Sequence, residues 1–238
     1  MSHKSIAVVT GAGRGIGRAV VLRLAQGGCS VLFTARTKSE LDSLKSELES
    51  LYPHQHFACA PFDLGNRSDV ARCADWIRNE AGDRLDILVH NAGLFLPGSL
   101  LDEPDDQFLS LLEVNVLSAY YLTRGLTTLI KASRGAHLFF MCSTASIKAY
   151  PAGGAYAVSK HALLGLSRSL RQELMPYGVG VTSILPGPTY TSSWAGSGIP
   201  QDRFMRAEDI AELIWTSWKV GANSVVEELL LRPLLGDI

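Results

Sequence analysis

Tyr156 and Lys160 stand four residues apart in the run Gly-Ala-Tyr-Ala-Val-Ser-Lys. Four residues is about one helical turn, so if 155–175 is a helix, both side chains project from one face. A free phenol has a pKa of ~10, so a tyrosine that exchanges a proton near neutrality needs a shift of ~3 units, or ~4 kcal/mol. A neighbouring cation stabilises phenolate and moves the value in that direction, and Lys160 can be that cation. The same spacing also fits a plain surface helix. The pair therefore needs support from elsewhere in the chain.

Support comes from the N-terminal Thr10-Gly11-Ala12-Gly13-Arg14-Gly15-Ile16-Gly17, which follows an apolar β-type run and opens an amphipathic segment. Glycine lets the backbone turn sharply and approach an anion closely, while the free N–H groups of a helix start point at phosphates. The spacing is G-x-x-x-G-x-G, with Ile16 where the commoner G-x-G-x-x-G has its last glycine. Strand, glycine loop and helix occur in the order that dinucleotide binding requires. After the second strand, an acidic residue would bond a ribose 2′-hydroxyl, but the sequence reads Thr34-Ala35-Arg36-Thr37. Arg36, with Arg14 as a second cation, suits a 2′-phosphate and hence NADP(H); the alternative is two solvated arginines.

These groups need a scaffold. Short apolar runs alternate with longer amphipathic ones, which predicts repeated βα units around a mostly parallel sheet of seven strands with helices on both faces, a Rossmann-type doubly wound α/β domain spanning 1–238. The strands are expected at Ser5–Thr10, Ser30–Ala35, His56–Pro61, Asp86–His90, Ala136–Cys142, Gly180–Leu185 and Val225–Leu231. Helices are expected at Gly15–Gln26, Ser39–Leu51, Ser68–Glu80, 155–175 and Ala207–Lys219, with one long helix over about 105–132. The stretch 189–206 lacks periodicity and reads as a substrate loop, at about 188–206. The chain has 238 residues, 47% hydrophobic and 19% charged, with a net charge of −1, which suits one compact globule and offers no basic stripe for nucleic acid or anionic lipid. Cys29, Cys59, Cys73 and Cys142 are scattered without metal-ligand spacing, so no metal is expected. With no signal peptide or membrane-length apolar run, a cytoplasmic location is expected.

Over nearly its whole length the chain resembles the short-chain dehydrogenases/reductases. The motifs stand in family order: Thr10-Gly11-x-x-x-Gly15-Ile16-Gly17, Asp63-Leu64, Asn91-Ala92-Gly93, Asn115, Ser143, Tyr156-x-x-x-Lys160 and Pro186-Gly187. The resemblance implies that Asp63 and Leu64 lie against the adenine, that Asn91, Ala92 and Gly93 border the ribose, and that Pro186 and Gly187 flank the nicotinamide with Thr189 and Thr191 on its carboxamide. It further implies that Tyr156 donates a proton to a carbonyl oxygen as hydride is delivered, with Ser143 bonding that oxygen. Lys160 then holds the ribose hydroxyls and lowers the phenol, and Asn115 anchors a water next to Lys160. Thr144 and Ser146 are rivals for the place of Ser143, and Asn115 also fits a buried helix residue bonding backbone.

The tail Val225–Ile238 resembles sepiapterin-reductase-type and small-carbonyl-reductase members more than acyl-carrier-protein reductases, which remain the alternative activity. A non-catalytic dinucleotide-binding module is a second class, disfavoured by the intact Ser143, Tyr156 and Lys160 set. Phe95, Tyr190 and Trp194 are candidates for an aromatic substrate wall or for packing. Asp237 reaches a substrate only if the tail folds over the pocket. The family commonly forms homodimers or homotetramers through the helices at about 105–132 and 155–175, and Leu163, Leu166 and Leu170 form a stripe that suits either an interface or the core.

Overall fold

The computed structural model describes residues 5–191, 194, 196, 198–221 and 223–238. Short runs, most of them apolar, form β1 (Ile6–Thr10), β2 (Ser30–Ala35), β3 (Phe57–Pro61), β4 (Ile87–His90), β5 (His137–Met141), β6 (Gly180–Pro186) and β7 (Glu228–Leu231). Their order is β3-β2-β1-β4-β5-β6-β7, and every neighbouring pair is parallel. The register sets Ile6 beside Ser30 and Ala7 beside Ile87. Between β1 and β4 the order of connection reverses, so the carboxyl ends of these strands open a crevice there.

Alternation along the strands distributes the core to both faces. Ala7, Val9, Phe33 and Phe139 pack under α1 (Gly15–Gln26), α2 (Lys38–Leu51) and the helix Ala207–Lys219, through Val20, Leu44 and Ile210 among others. Val8, Leu32, Leu88 and Phe140 face the opposite way, under α3 (Arg67–Ala81) and the helix Gly154–Leu174. α3 starts on Asn66, whose Oδ1 accepts from the Ser68 and Asp69 N–H groups. Between β4 and β5 lie α4 (Asp105–Leu112), α5 (Ser118–Gly125) and α6 (Thr127–Ala132); Gly154–Leu174 is α7 and Ala207–Lys219 is α8.

The expected long helix over 105–132 is not continuous. Glu113–Leu117 forms a π turn, and the helix breaks again at Leu126. The first break accompanies Asn115, whose side chain leaves the helix to bond the backbone after β4. At the second, Arg78 Nη1 takes the Gly125 carbonyl at 2.5 Å, and a Cβ at Gly125 would stand 2.8 Å from that of Ala74. β7 pairs only from Glu228, later than the expected Val225. In the substrate loop Thr189 bridges to Met205, and Gln201–Arg203 forms a 3-10 turn. Ser192, Ser193, Ala195 and Ser197 of that expected loop lie outside the described residues.

The turn after β1 is tied to the end of β4. Asn91 Nδ2 donates to the Thr10 and Gly11 carbonyls, both at 2.9 Å, and the Asn91 and Ala92 N–H groups donate to Thr10 Oγ1 at 3.1 and 3.0 Å. Asn91→Ala removes both side-chain bonds and should cost about 2 kcal/mol, read as a lower urea midpoint with an unchanged denaturant slope.

Candidate functional site

Two cavities meet at the carboxyl ends of the central strands. The first, of about 330 Å³, is lined by the glycine loop, by Arg36 and Glu40 beyond β2, by Asp63 and Leu64 beyond β3, and by Asn91, Ala92 and Gly93 beyond β4. Gly11 has φ +66°, and a Cβ there would stand 2.7 Å from the Ala92 Cα. At Gly17 a Cβ would lie 2.3 Å from the Gly11 carbonyl oxygen. α1 starts at Gly15 with Arg14 at its cap position and no side-chain acceptor on its first N–H groups. Bare amides at a helix start, approached by a backbone without side chains, form a cradle for a pyrophosphate. Arg14 and Arg36 line the same cavity, are exposed, and make no ion pair among the described residues. The residues therefore fit a dinucleotide with a further phosphate at the arginine end.

The second cavity, of about 440 Å³, shares Ile16, Gly93, Leu94, Met141 and Thr191 with the first, so the two are continuous. It contains Ser143, Tyr156 and Lys160, with Pro186, Gly187, Thr189 and Thr191 on the β6 side. α7 delivers Tyr156 and Lys160 from one face, as their spacing predicts. The Lys160 ammonium is buried, lies 5.7 Å from the Tyr156 ring centroid and donates to the Met141 carbonyl at 2.8 Å. Burial lowers Lys160 from its ordinary 10.5 to about 8.

The Tyr156 phenol departs from the sequence expectation. Burial raises its pKa, the neighbouring Cys142 adds to the rise, and the opposing pull comes from a hydrogen bond with Ser143 rather than from Lys160. A phenol held in this way stays protonated at neutral pH, the form in which it can give up a proton. Ser143 follows β5 and caps a short 3-10 turn: its Oγ accepts from the Ala145 N–H at 3.1 Å, while its own N–H donates to Ser146 Oγ at 3.1 Å. Of the rivals this sets Ser146 aside, because it is spent on the turn, while Ser143 and Thr144 both line the cavity.

Asn115 is buried, and its side-chain amide is fully engaged. Oδ1 accepts from the Leu94 N–H at 2.7 Å, and Nδ2 donates to the Leu94 carbonyl at 3.0 Å and to Ser159 Oγ at 2.9 Å. It thus pins the segment after β4, and a Cβ on Gly93 would touch both Asn115 Oδ1 and Lys160 Nζ. Asp63 Oδ1 accepts from the Gly65 N–H at 3.0 Å. Of the proposed aromatic wall, Phe95 and Trp194 line the second cavity, and Phe95 meets the Tyr156 ring edge-on at 4.9 Å. Tyr190 instead turns toward Phe204 and an outer groove. Leu163 is core, and the half-buried Leu166 and Leu170 pack against the same cluster.

Several lining residues carry no local sequence signal. Glu40 and Phe62 border the first cavity, and Lys148, Tyr150 and Arg232 the second. The tail does fold back: the Gly187 N–H donates to the Leu231 carbonyl at 2.8 Å, Arg232 pairs with Asp237, and Asp237 and Ile238 reach the second cavity. Among the described residues there is no metal-binding cluster and no helix long and apolar enough to cross a membrane.

The family model of the short chain dehydrogenases matches residues 5–200. The chain belongs to this family. It is accordingly an oxidoreductase, built on the family's seven-stranded parallel sheet. Among its relatives is a sepiapterin reductase of Chlorobaculum tepidum, 31% identical over 99% of this chain and 98% of that one. An alcohol dehydrogenase of the archaeon Thermococcus sibiricus, solved with 5-hydroxy-NADP, superposes with a TM-score of 0.91 at 27% identity over 99% of both chains. A metagenomic short-chain oxidoreductase in complex with NADP gives 0.83 at 29% identity over 96% of both.

Family membership does not remove the cost of a buried ammonium. Holding Lys160 charged against a value of about 8 costs on the order of 3 kcal/mol relative to 10.5 in the unfolded chain. The cost is complete below about pH 8 and fades toward 10.5, because over that window only the unfolded chain keeps the proton. Lys160→Met should therefore melt above the wild-type protein at pH 7, with the advantage shrinking as pH rises through that window, as followed by circular dichroism.

Proposed function

We propose that the chain is an NADPH-dependent reductase that converts a carbonyl group to an alcohol, with Tyr156 as proton donor. The observation that carries this reading is the continuity of the two cavities: the glycine cradle leads directly into the chamber that holds Ser143, Tyr156 and Lys160. The nucleotides named with the Thermococcus sibiricus and metagenomic structures point to the same cofactor, as do Arg14 and Arg36 at the cradle's rim.

NADPH, when bound, supplies the hydride. Gly11, Gly15, Ile16 and Gly17 admit its pyrophosphate, Arg14 and Arg36 receive the 2′-phosphate, and Asp63 and Leu64 face the adenine. Asn91, Ala92 and Gly93 border the ribose, Lys160 holds its hydroxyls, and Pro186, Gly187, Thr189 and Thr191 flank the nicotinamide. Tyr156, kept protonated by burial, passes its proton to the carbonyl oxygen. Ser143 Oγ accepts from the Ala145 N–H, and its own proton, which otherwise serves the Tyr156 phenol, turns to the same oxygen when substrate is present and steadies the charge that develops there. Asn115 contributes by fixing Leu94 and so the floor beneath Lys160.

Phe95, Tyr150 and Trp194 give the chamber apolar ring surfaces. With the sepiapterin reductase relative, they support a small aromatic ketone, a diketone or a pterin as substrate. An acetoacetyl thioester assayed beside these compounds tests the acyl-carrier-protein alternative. The activity is proposed to take place in the cytoplasm.

Tyr156→Phe should reduce turnover by about 100-fold or more while leaving the NADPH dissociation constant within about twofold. Steady-state absorbance together with cofactor-fluorescence titration checks this, and a fully active variant would exclude Tyr156 as the donor. Arg36→Asp removes a charge-assisted phosphate contact and should move the NADPH-to-NADH ratio of kcat/KM toward NADH by about tenfold or more. An unchanged ratio would take Arg36 out of phosphate recognition.

A further inference from the structure

α7 carries Tyr156 in its first turn, yet it does not cap itself. Gly153 stands at the cap position and makes no side-chain bond to the opening N–H groups. The acceptor comes instead from the segment between β4 and α4. Glu103 places Oε1 3.2 Å and Oε2 3.4 Å from the Ala155 nitrogen, so the Ala155 N–H donates to both oxygens of one carboxylate. A carboxylate there satisfies a donor that the helix leaves open and opposes the positive end of its dipole.

The seat for this carboxylate is closely built. A Cβ on Gly98 would stand 2.7 Å from Glu103 Oε2, and one on Gly154 would stand 2.6 Å from it. Gln107 Nε2 donates to Glu103 Oε2 at 3.2 Å, and the Glu103 N–H donates to the Ser99 carbonyl at 2.8 Å. The Gly98 N–H donates to the Ala152 carbonyl at 3.0 Å, and Ala152 sits at φ +58°, a left-handed conformation that costs a residue with a Cβ. Such a conformation persists where its surroundings impose it. The segment that Glu103 anchors also carries Phe95, whose ring lies edge-on against Tyr156.

We propose that Glu103 is a positioning residue for the reduction. By holding the Ala155 amide it sets where the next residue, Tyr156, presents its phenol, and it locks that turn to the wall carrying Phe95. The inference rests on Tyr156 being the proton donor. Glu103 lines neither cavity, and its effect is therefore on turnover and not on cofactor affinity.

The test compares Glu103→Ala, Glu103→Gln and Glu103→Asp, with Tyr156→Phe alongside, by kcat and KM on a reducible ketone, NADPH dissociation constant, and amide hydrogen exchange at Ala155 and Tyr156. Glu103→Ala should lower kcat by about tenfold or more, as displacement of a reacting group does, with NADPH affinity within about twofold. Its two amides should exchange faster. Glu103→Gln keeps an acceptor oxygen of the same reach and should restore kcat to within about threefold and exchange to the wild-type rate, whereas Glu103→Asp, shorter by one methylene, should resemble the alanine variant. A wild-type kcat in Glu103→Ala, or a glutamine variant as slow as aspartate, would overturn the proposal; the Gln and Asp pair decides it if the alanine variant does not fold. If Tyr156→Phe is inactive while Glu103→Ala is not, the positioning role alone fails. An active Tyr156→Phe removes the donor assignment beneath it.

Discussion

The tie between the β1 turn and the end of β4 is the constraint on which the rest of the molecule depends. These two strands are neighbours in space but far apart in sequence, and the winding of the chain reverses between them. Helices that leave in opposite directions leave the carboxyl ends uncovered, and the backbone groups there must be satisfied without a ladder. Thr10 and Asn91 do this with one hydroxyl and one amide. The glycine loop can then lie against Ala92 at a distance that admits no side chain. Cradle, ribose border and catalytic chamber all take their positions from that contact.

The chamber itself is a balance of unfavourable burials. Lys160 and Tyr156 are both withdrawn from water, and each is pushed toward its neutral form, the amine downward and the phenol upward. The groups that offset this are modest: a carbonyl at Met141 for the ammonium and Ser143 for the phenol. A site so arranged sacrifices stability to hold two reactive groups side by side, a common relation between active sites and the folds that carry them.

Much of this was legible because the chemistry depends on local spacing. The glycine loop between β1 and α1, the pair on α7 and the alternating βα pattern each declare themselves within a short window. The single helix expected over 105–132 failed because apolar periodicity does not register one extra residue, and because the cause, Asn115 reaching for Leu94, is a tertiary contact. The place of Tyr190 in the loop suits a wall or packing alike, and the Thr189 and Met205 bridge turns it toward Phe204. Glu40, Tyr150 and Arg232 come to the cavities from elements whose sequences carry no trace of that destination. The phenol's upward shift was likewise unreadable, since burial is a property of everything packed around it.

The π turn at Glu113–Leu117 holds one residue more than the α-helix it interrupts. That surplus is absorbed within the turn, so losing one residue there would restore ordinary helix and leave the stretches on either side in register. The buried side of α5, with Ala119 and Leu122, would still face the sheet, but Asn115 would lose the widened turn from which it reaches Leu94. The surplus residue serves the floor of the chamber and not the packing of the helices.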